Sequence, residues 1–290
     1  MKEPRDGYWL AGSLLLGRFG AFDREMFAQY CAGWLMKGFF VPFIISVFMA
    51  NIDSTFSSDL LKGRAGFNAF YDFCFPLSFA VDTAFSTLGY LLTIRLADAH
   101  LRSTDLTVSG WLVALICYPP FWPFIYDHFL PYDANAVFWG PSFASVQVLY
   151  WIWGSVLIVS FAVFSWATIV FGLRFSNLTH RGIITSGPYR WCKHPAYVSK
   201  IASYWLIALP FIAITGPADG VRASLMLALL SFIYYLRART EERHLSRDPV
   251  YVAYALWMNE HGVFRWLGRV APIFRYRGPS SQLASSSVSQ

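Results

Sequence analysis

Six apolar runs constrain this chain more than any other feature, at about 31–51, 68–94, 109–130, 145–171, 197–214 and 221–238. A run of roughly 20 apolar residues is enough to carry a helix across the hydrocarbon core of a bilayer. Hydrophobic residues make up 56% of the chain and charged residues only 14%. An ordinary soluble domain carries about 25% charged residues. The pattern predicts an all-α, polytopic membrane bundle of about six transmembrane helices. No separate soluble domain fits in the remainder, and nothing resembles a repeat.

Loop charge predicts the orientation. Lys2, Arg5, Arg18 and Arg24 precede the first run; Arg95 and Arg102 follow the second. Arg174, Arg181, Arg190, Lys193 and Lys200 follow the fourth, and eight arginines lie between Arg237 and Arg277. The other loops hold Lys62, Arg64 and Arg222. Positive residues gather on the inner side of a membrane. Both termini are therefore expected in the cytoplasm, with the protein in an inner or plasma membrane. The same bias accounts for the net charge of +6 without a nucleic-acid partner.

Outside the runs, several features read as structure. Lys2 and Arg5 precede YWLAGSLLLG, but Glu3 and Asp6 spoil a basic leader and no small-residue cleavage site follows. An interfacial segment is expected there. Phe19, Phe22, Met26, Phe27 and Tyr30 recur at near-helical spacing, as in an amphipathic helix on the inner leaflet. Cys31, Cys74, Cys117 and Cys192 are scattered without metal-ligand spacing, so no metal is expected. Asn177-Leu178-Thr179 matches a glycosylation acceptor but falls on the cytoplasmic side. The tail GPSSQLASSSVSQ lacks apolar content and predicts disorder.

Three ionisable residues lie within apolar runs: Lys37, Asp72 and Asp82. Charge at such depth usually faces the bundle interior, and Asp82, near the middle of the second run, is a candidate substrate contact. Pairing between helices is the plainer alternative. Lys37 lies near the inner surface, within reach of water by snorkelling.

Two polar segments flank the last hairpin: GPYRWCKHPAYVSK from Gly187 and RARTEERHLSRDPVYVAY from Arg237. Pro195 suits the first helical position, which puts His194 near a helix N-cap. Free N–H groups and the positive dipole end there favour an anion such as a ligand carboxylate. The plainer alternative is a helix that simply starts at the bilayer surface. From Val221 to Ser246 neither proline nor glycine interrupts the chain. A helix of that length, about 39 Å, outruns the ~30 Å core. Arg237, Glu241, Glu242 and Leu245 therefore emerge on the inner side, and Asp248-Pro249 ends the helix. Arg237 and Glu241 could form an ordinary surface i, i+4 pair. Two adjacent glutamates at a helix C-terminus, however, need a cationic partner.

These segments resemble the isoprenylcysteine carboxyl methyltransferase family, which shares motifs with membrane phospholipid N-methyltransferases. Gly187, Pro188, Tyr189, Lys193, His194, Pro195 and Tyr197 follow its GPY…RHP-x-Y pattern; Arg237, Glu241, Glu242, Leu245, Tyr251 and Tyr254 follow its R-x-x-x-E-E-x-x-L and tyrosine pair. Lys193 stands for the usual arginine and Ser199 for a common glycine. The likeness covers about residues 145–260 and implies a membrane methyltransferase that uses S-adenosylmethionine at a cytosol-facing site. It implies that His194, Tyr197, Tyr189, Glu241, Glu242 and Leu245 bind the cofactor. Arg237, and secondarily Arg190, would hold the nucleophile; Tyr251, Tyr254 and Asp82 would meet substrate. The substrate would be a lipophilic or lipid-modified acceptor drawn from among membrane lipids, with an isoprenylcysteine-like carboxylate or a lipid group as methyl acceptor. The expected division is an N-terminal part of three spans over 1–140, which shapes lipid access or dimer contacts, a catalytic domain over 141–277, and a tail over 278–290. The alternatives are an NADPH-dependent membrane sterol-type reductase and a non-catalytic membrane factor. Pro195 and Lys200 depart from the reductase pattern.

Overall fold

The computed structural model describes residues 6–18, 20, 22–134, 138–209 and 216–278. The predicted tail, the basic start of the chain, Phe19 and the end of the fifth apolar run lie outside the described residues. The helices are α1 (Gly7–Leu15), α2 (Arg24–Phe56), α3 (Phe67–Leu91), α4 (Val108–Leu115), α5 (Phe121–Phe129) and α6 (Trp139–Phe143). They continue as α7 (Gln147–Phe171), α8 (Pro195–Ala208), α9 (Pro217–Leu245), α10 (Pro249–His261) and α11 (Arg265–Val270). Two-residue strands β1 (Ser103–Thr104) and β2 (Thr179–His180) pair antiparallel, a small exception to the all-α expectation.

Among the described residues, three helices are long and apolar enough to cross a membrane: Arg24–Phe56, Gln147–Arg174 and Pro217–Leu245. α3 is continuous over 25 residues but less apolar, because Asn68, Asp72, Asp82 and several hydroxyl residues interrupt it. The expected span at 109–130 is not one helix. It divides into α4 and α5 around Pro119 and Pro120, because proline removes a helical N–H and its ring collides with the preceding turn. The expected amphipathic surface helix is also corrected. Met26, Phe27 and Tyr30 are the first turns of α2, continuous with its apolar length. The separate short helix is α1, started by Asp6, whose carboxylate accepts from Trp9 N at 2.8 Å.

α2 packs antiparallel on α3, α7 on α8 and α8 on α9, whereas α3 and α7 run parallel, with Phe67 beside Tyr150, Phe79 beside Phe164 and Asp82 beside Thr168. Phe40 stacks on Tyr90 between α2 and α3, with Met36 and Ile44 beside them. Half-buried Lys37 donates to Thr93 Oγ1 at 2.6 Å, just past the end of α3. Small polar residues join α7 to α8: Ser160 Oγ donates to Ser199 O at 3.0 Å, and Ser203 Oγ to Ser160 Oγ at 3.1 Å. Such pairs matter in lipid, where no hydrophobic drive separates helix from tail, and they contribute about 0.6 kcal/mol each.

The loops after α3 and α7 are tied together where the site forms. β1 and β2 join them, and buried Arg181 donates to Ala99 O at 2.8 Å, Gly89 O at 2.7 Å and Phe175 O at 3.0 Å. Gly89 is required there, because a Cβ would collide with the Phe175 carbonyl.

Candidate functional site

Gly187 takes φ +57°, a left-handed conformation favouring glycine, and turns the chain into a 3₁₀ helix, Gly187–Arg190. Tyr189 is buried there, and its carbonyl accepts from Tyr254 Oη at 2.7 Å, which clamps α10 over the turn. Pro195 opens α8 with His194 at the N-cap, as its sequence position suggested. α9 ends at Leu245, and Asp248 caps α10 by accepting from Val250 N at 2.8 Å. The two polar segments thereby meet at one end of the bundle, around a cavity of about 170 Å³.

The two glutamates divide their work. Glu242 is buried and does not line the cavity. Its Oε1 lies 2.5 Å from Lys193 Nζ and 3.3 Å from His194 Nε2, and its Oε2 lies 2.8 Å from Arg239. It is the common counter-ion that fixes the His194 loop to α9. Glu241 lines the cavity and accepts from Tyr197 Oη at 3.0 Å, with His194 Nδ1 4.0 Å away. His194 stacks on Tyr197 with ring centroids 5.6 Å apart.

Arg237 is buried and turned away from Glu241, so the surface i, i+4 pair does not form. The guanidinium lies over the rings of Tyr118 and Tyr197, at 4.9 and 5.1 Å. It donates to Tyr118 Oη at 2.7 Å and to Asn177 Oδ1. Asn177 is itself fixed, because its N and Nδ2 both donate to Tyr90 Oη, at 2.8 and 2.9 Å. A buried asparagine so engaged is no glycosylation acceptor.

Among the other predicted residues, Leu245, Tyr251, Tyr254 and Asp82 all line the cavity. Asp82 Oδ1 accepts from Thr168 Oγ1 at 2.8 Å. Tyr251 Oη is buried without a hydrogen-bond partner. Burial, with Glu242 and Glu241 nearby, raises its phenol well above the usual range and keeps the proton on it. Arg190 is exposed and is not among the cavity residues, so the structure does not bring it to the site.

Sequence reasoning missed Tyr118, Asn177, Lys200 and His244. Lys200, counted above as loop charge, lies inside α8 and lines the cavity, one turn beyond Tyr197. Its i, i+3 spacing from Tyr197 was the signal available. His244 lines the cavity with Nδ1 buried and unpartnered, while Nε2 meets Ser103 Oγ at 3.1 Å. The N-terminal part also reaches the site, through Asp82, Asp105, Gly110, Ala114 and Tyr118. The cavity is therefore not built from residues 141–277 alone.

Residues 149–247 match the model of the Isoprenylcysteine carboxyl methyltransferase (ICMT) family. The match runs from α7 through the end of α9, and so contains His194, Tyr197, Arg237, Glu241 and Glu242 but stops short of Tyr251 and Tyr254. No curated protein and no solved structure matches the chain.

Proposed function

We propose that this protein is an integral membrane methyltransferase that uses S-adenosylmethionine and methylates a lipophilic acceptor, an isoprenylcysteine-like carboxylate or a lipid group. The observation that carries this reading is the cavity where the two polar segments of the family-matching hairpin meet.

The residues fit the cofactor. Buried Tyr251 Oη and His244 Nδ1 lack partners and line the cavity, as expected of groups completed by a polar ligand. Glu241 would take the cofactor's ammonium. His194, Tyr197 and the N-terminus of α8 would take its carboxylate, with Tyr189, Leu245 and Tyr251 around the remainder. Each charge-assisted hydrogen bond contributes roughly 1.5–3 kcal/mol. When bound, the cofactor supplies an electrophilic methyl group on a sulfonium.

Glu242 acts at one remove, by holding His194 and Lys193 in place. Arg237 has a planar guanidinium already fixed by Tyr118, Asn177 and two aromatic faces, so it loses little freedom on orienting an acceptor carboxylate. A carboxylate is ionised near pH 7 and needs no general base, and alignment is then the main demand on the protein. Tyr254 acts through the Tyr189 backbone, and Asp82 lines the cavity beside Thr168. The test is methyl transfer from labelled S-adenosylmethionine to a lipid extract by the purified protein. Label in the lipid phase is expected; its absence with every acceptor class, beside intact cofactor binding, would favour the non-catalytic factor.

A further inference from the structure

Lys200 has no role in the mechanism above, yet the chain keeps its ammonium inside an apolar helix. It lies over the rings of Phe79, Phe164 and Tyr234 at 5.8, 6.0 and 5.8 Å. Cation–π contacts favour a charge there, and among the described residues no hydrogen bond takes up its three N–H donors. Asp82 lines the same end of the cavity, yet no ion pair within 4.0 Å joins the two among the described residues. A charge at such depth usually serves a ligand or a pathway.

The spacing places Lys200 beside Arg237. Arg237 lies over Tyr197; Tyr197 meets Tyr234 edge-on at 5.8 Å; Lys200 lies over Tyr234. Tyr197 to Lys200 and Tyr234 to Arg237 are each three residues, about 4.5 Å of helix rise. Two cations thus stand about one turn apart in the groove between α8 and α9. With Asp82 as the carboxylate at that end, the formal charge there is one positive. A single anionic group, its two oxygens shared between the cations, would neutralise it.

We infer that Lys200 is a specificity-determining residue that holds the acceptor's anionic group jointly with Arg237 and so selects anionic over uncharged lipophilic acceptors. This rests on the acceptor end of the cavity proposed above. The test is calorimetric binding of farnesylthioacetate and of its uncharged amide to the full chain in detergent. Wild type should prefer the carboxylate. Lys200→Met should lose roughly tenfold or more of that preference, the loss of one charge-assisted contact, while binding the amide as wild type does. Lys200→Arg should retain the preference. An undiminished preference in folded Lys200→Met would overturn the inference. If the single variant does not fold, the Lys200→Met/Asp82→Asn double variant removes both charges. It should fold and still lack the preference, and a preference restored to wild type there would mean that the pair is structural. S-adenosylhomocysteine binding is measured on the same samples: its absence counts against the methyltransferase reading, whereas the carboxylate preference is read without it.

Discussion

At the residue scale, neighbouring glutamates on one helix turn do different things because one faces the cavity and the other faces Lys193, His194 and Arg239. Glu241→Ala should weaken S-adenosylhomocysteine binding roughly 10- to 150-fold and leave stability nearly unchanged, since it removes a ligand contact. Glu242→Ala should instead cost about 1–3 kcal/mol of stability, because it leaves the half-buried Lys193 and His194 without that carboxylate. Thermal unfolding beside calorimetry separates the two; equal effects of both substitutions in both measurements would contradict the division. Arg190→Ala should bind and turn over like wild type, while Arg237→Ala should lose turnover and Arg237→Lys recover little of it, for want of the planar fork. The motif residues were legible because their chemistry is sequence-local: His-Pro opens a helix and Glu-Glu closes one. Asn177 and Tyr118 were not. They reach Arg237 across 60 and 119 residues of chain, and nothing in their own neighbourhood announces it.

At the element scale, the site depends on loops being tied as firmly as helices. Tyr90 of α3 holds Asn177, and Asn177 holds Arg237 of α9. Asn177→Ala should cost about 1–3 kcal/mol by leaving buried groups unsatisfied, and should lower turnover with it. β2 adds a pH dependence. His180 Nε2 lies 3.1 Å from Asp248 Oδ2 but is not aligned for a hydrogen bond, and burial holds the imidazole below its usual range. The unfolded chain takes up that proton as the pH falls through about 6.5, and the native chain resists it. Stability should therefore be full above that pH and decline below it, and His180→Gln should flatten the decline in thermal unfolding followed from pH 7.5 to 5.5. The long elements α2, α7 and α9 could be read from apolarity alone. The break between α4 and α5 was hidden because apolar residues continue through Pro119 and Pro120, and only backbone chemistry interrupts them.

At the scale of the whole molecule, α9 is 29 residues long, about 43 Å as a helix, so its polar end stands beyond a bilayer core. Asp105 and His194 line one cavity, and Asp219 is at the opposite end of α9. Reporter fusions after Asp105, Arg190 and Arg277 should all report cytoplasm, and one near Asp219 the outside; Ala136, the other outer position expected from loop charge, lies outside the described residues. An outside signal at Arg190 would separate the site from the compartment that holds the cofactor. The claim on which the rest depends is cofactor identity. Calorimetry on the purified full chain in detergent tests it most directly, with S-adenosylhomocysteine and NADPH titrated separately. Binding of S-adenosylhomocysteine, weakened in Glu241→Ala, and no binding of NADPH is the expected result; NADPH binding without S-adenosylhomocysteine binding would contradict the account.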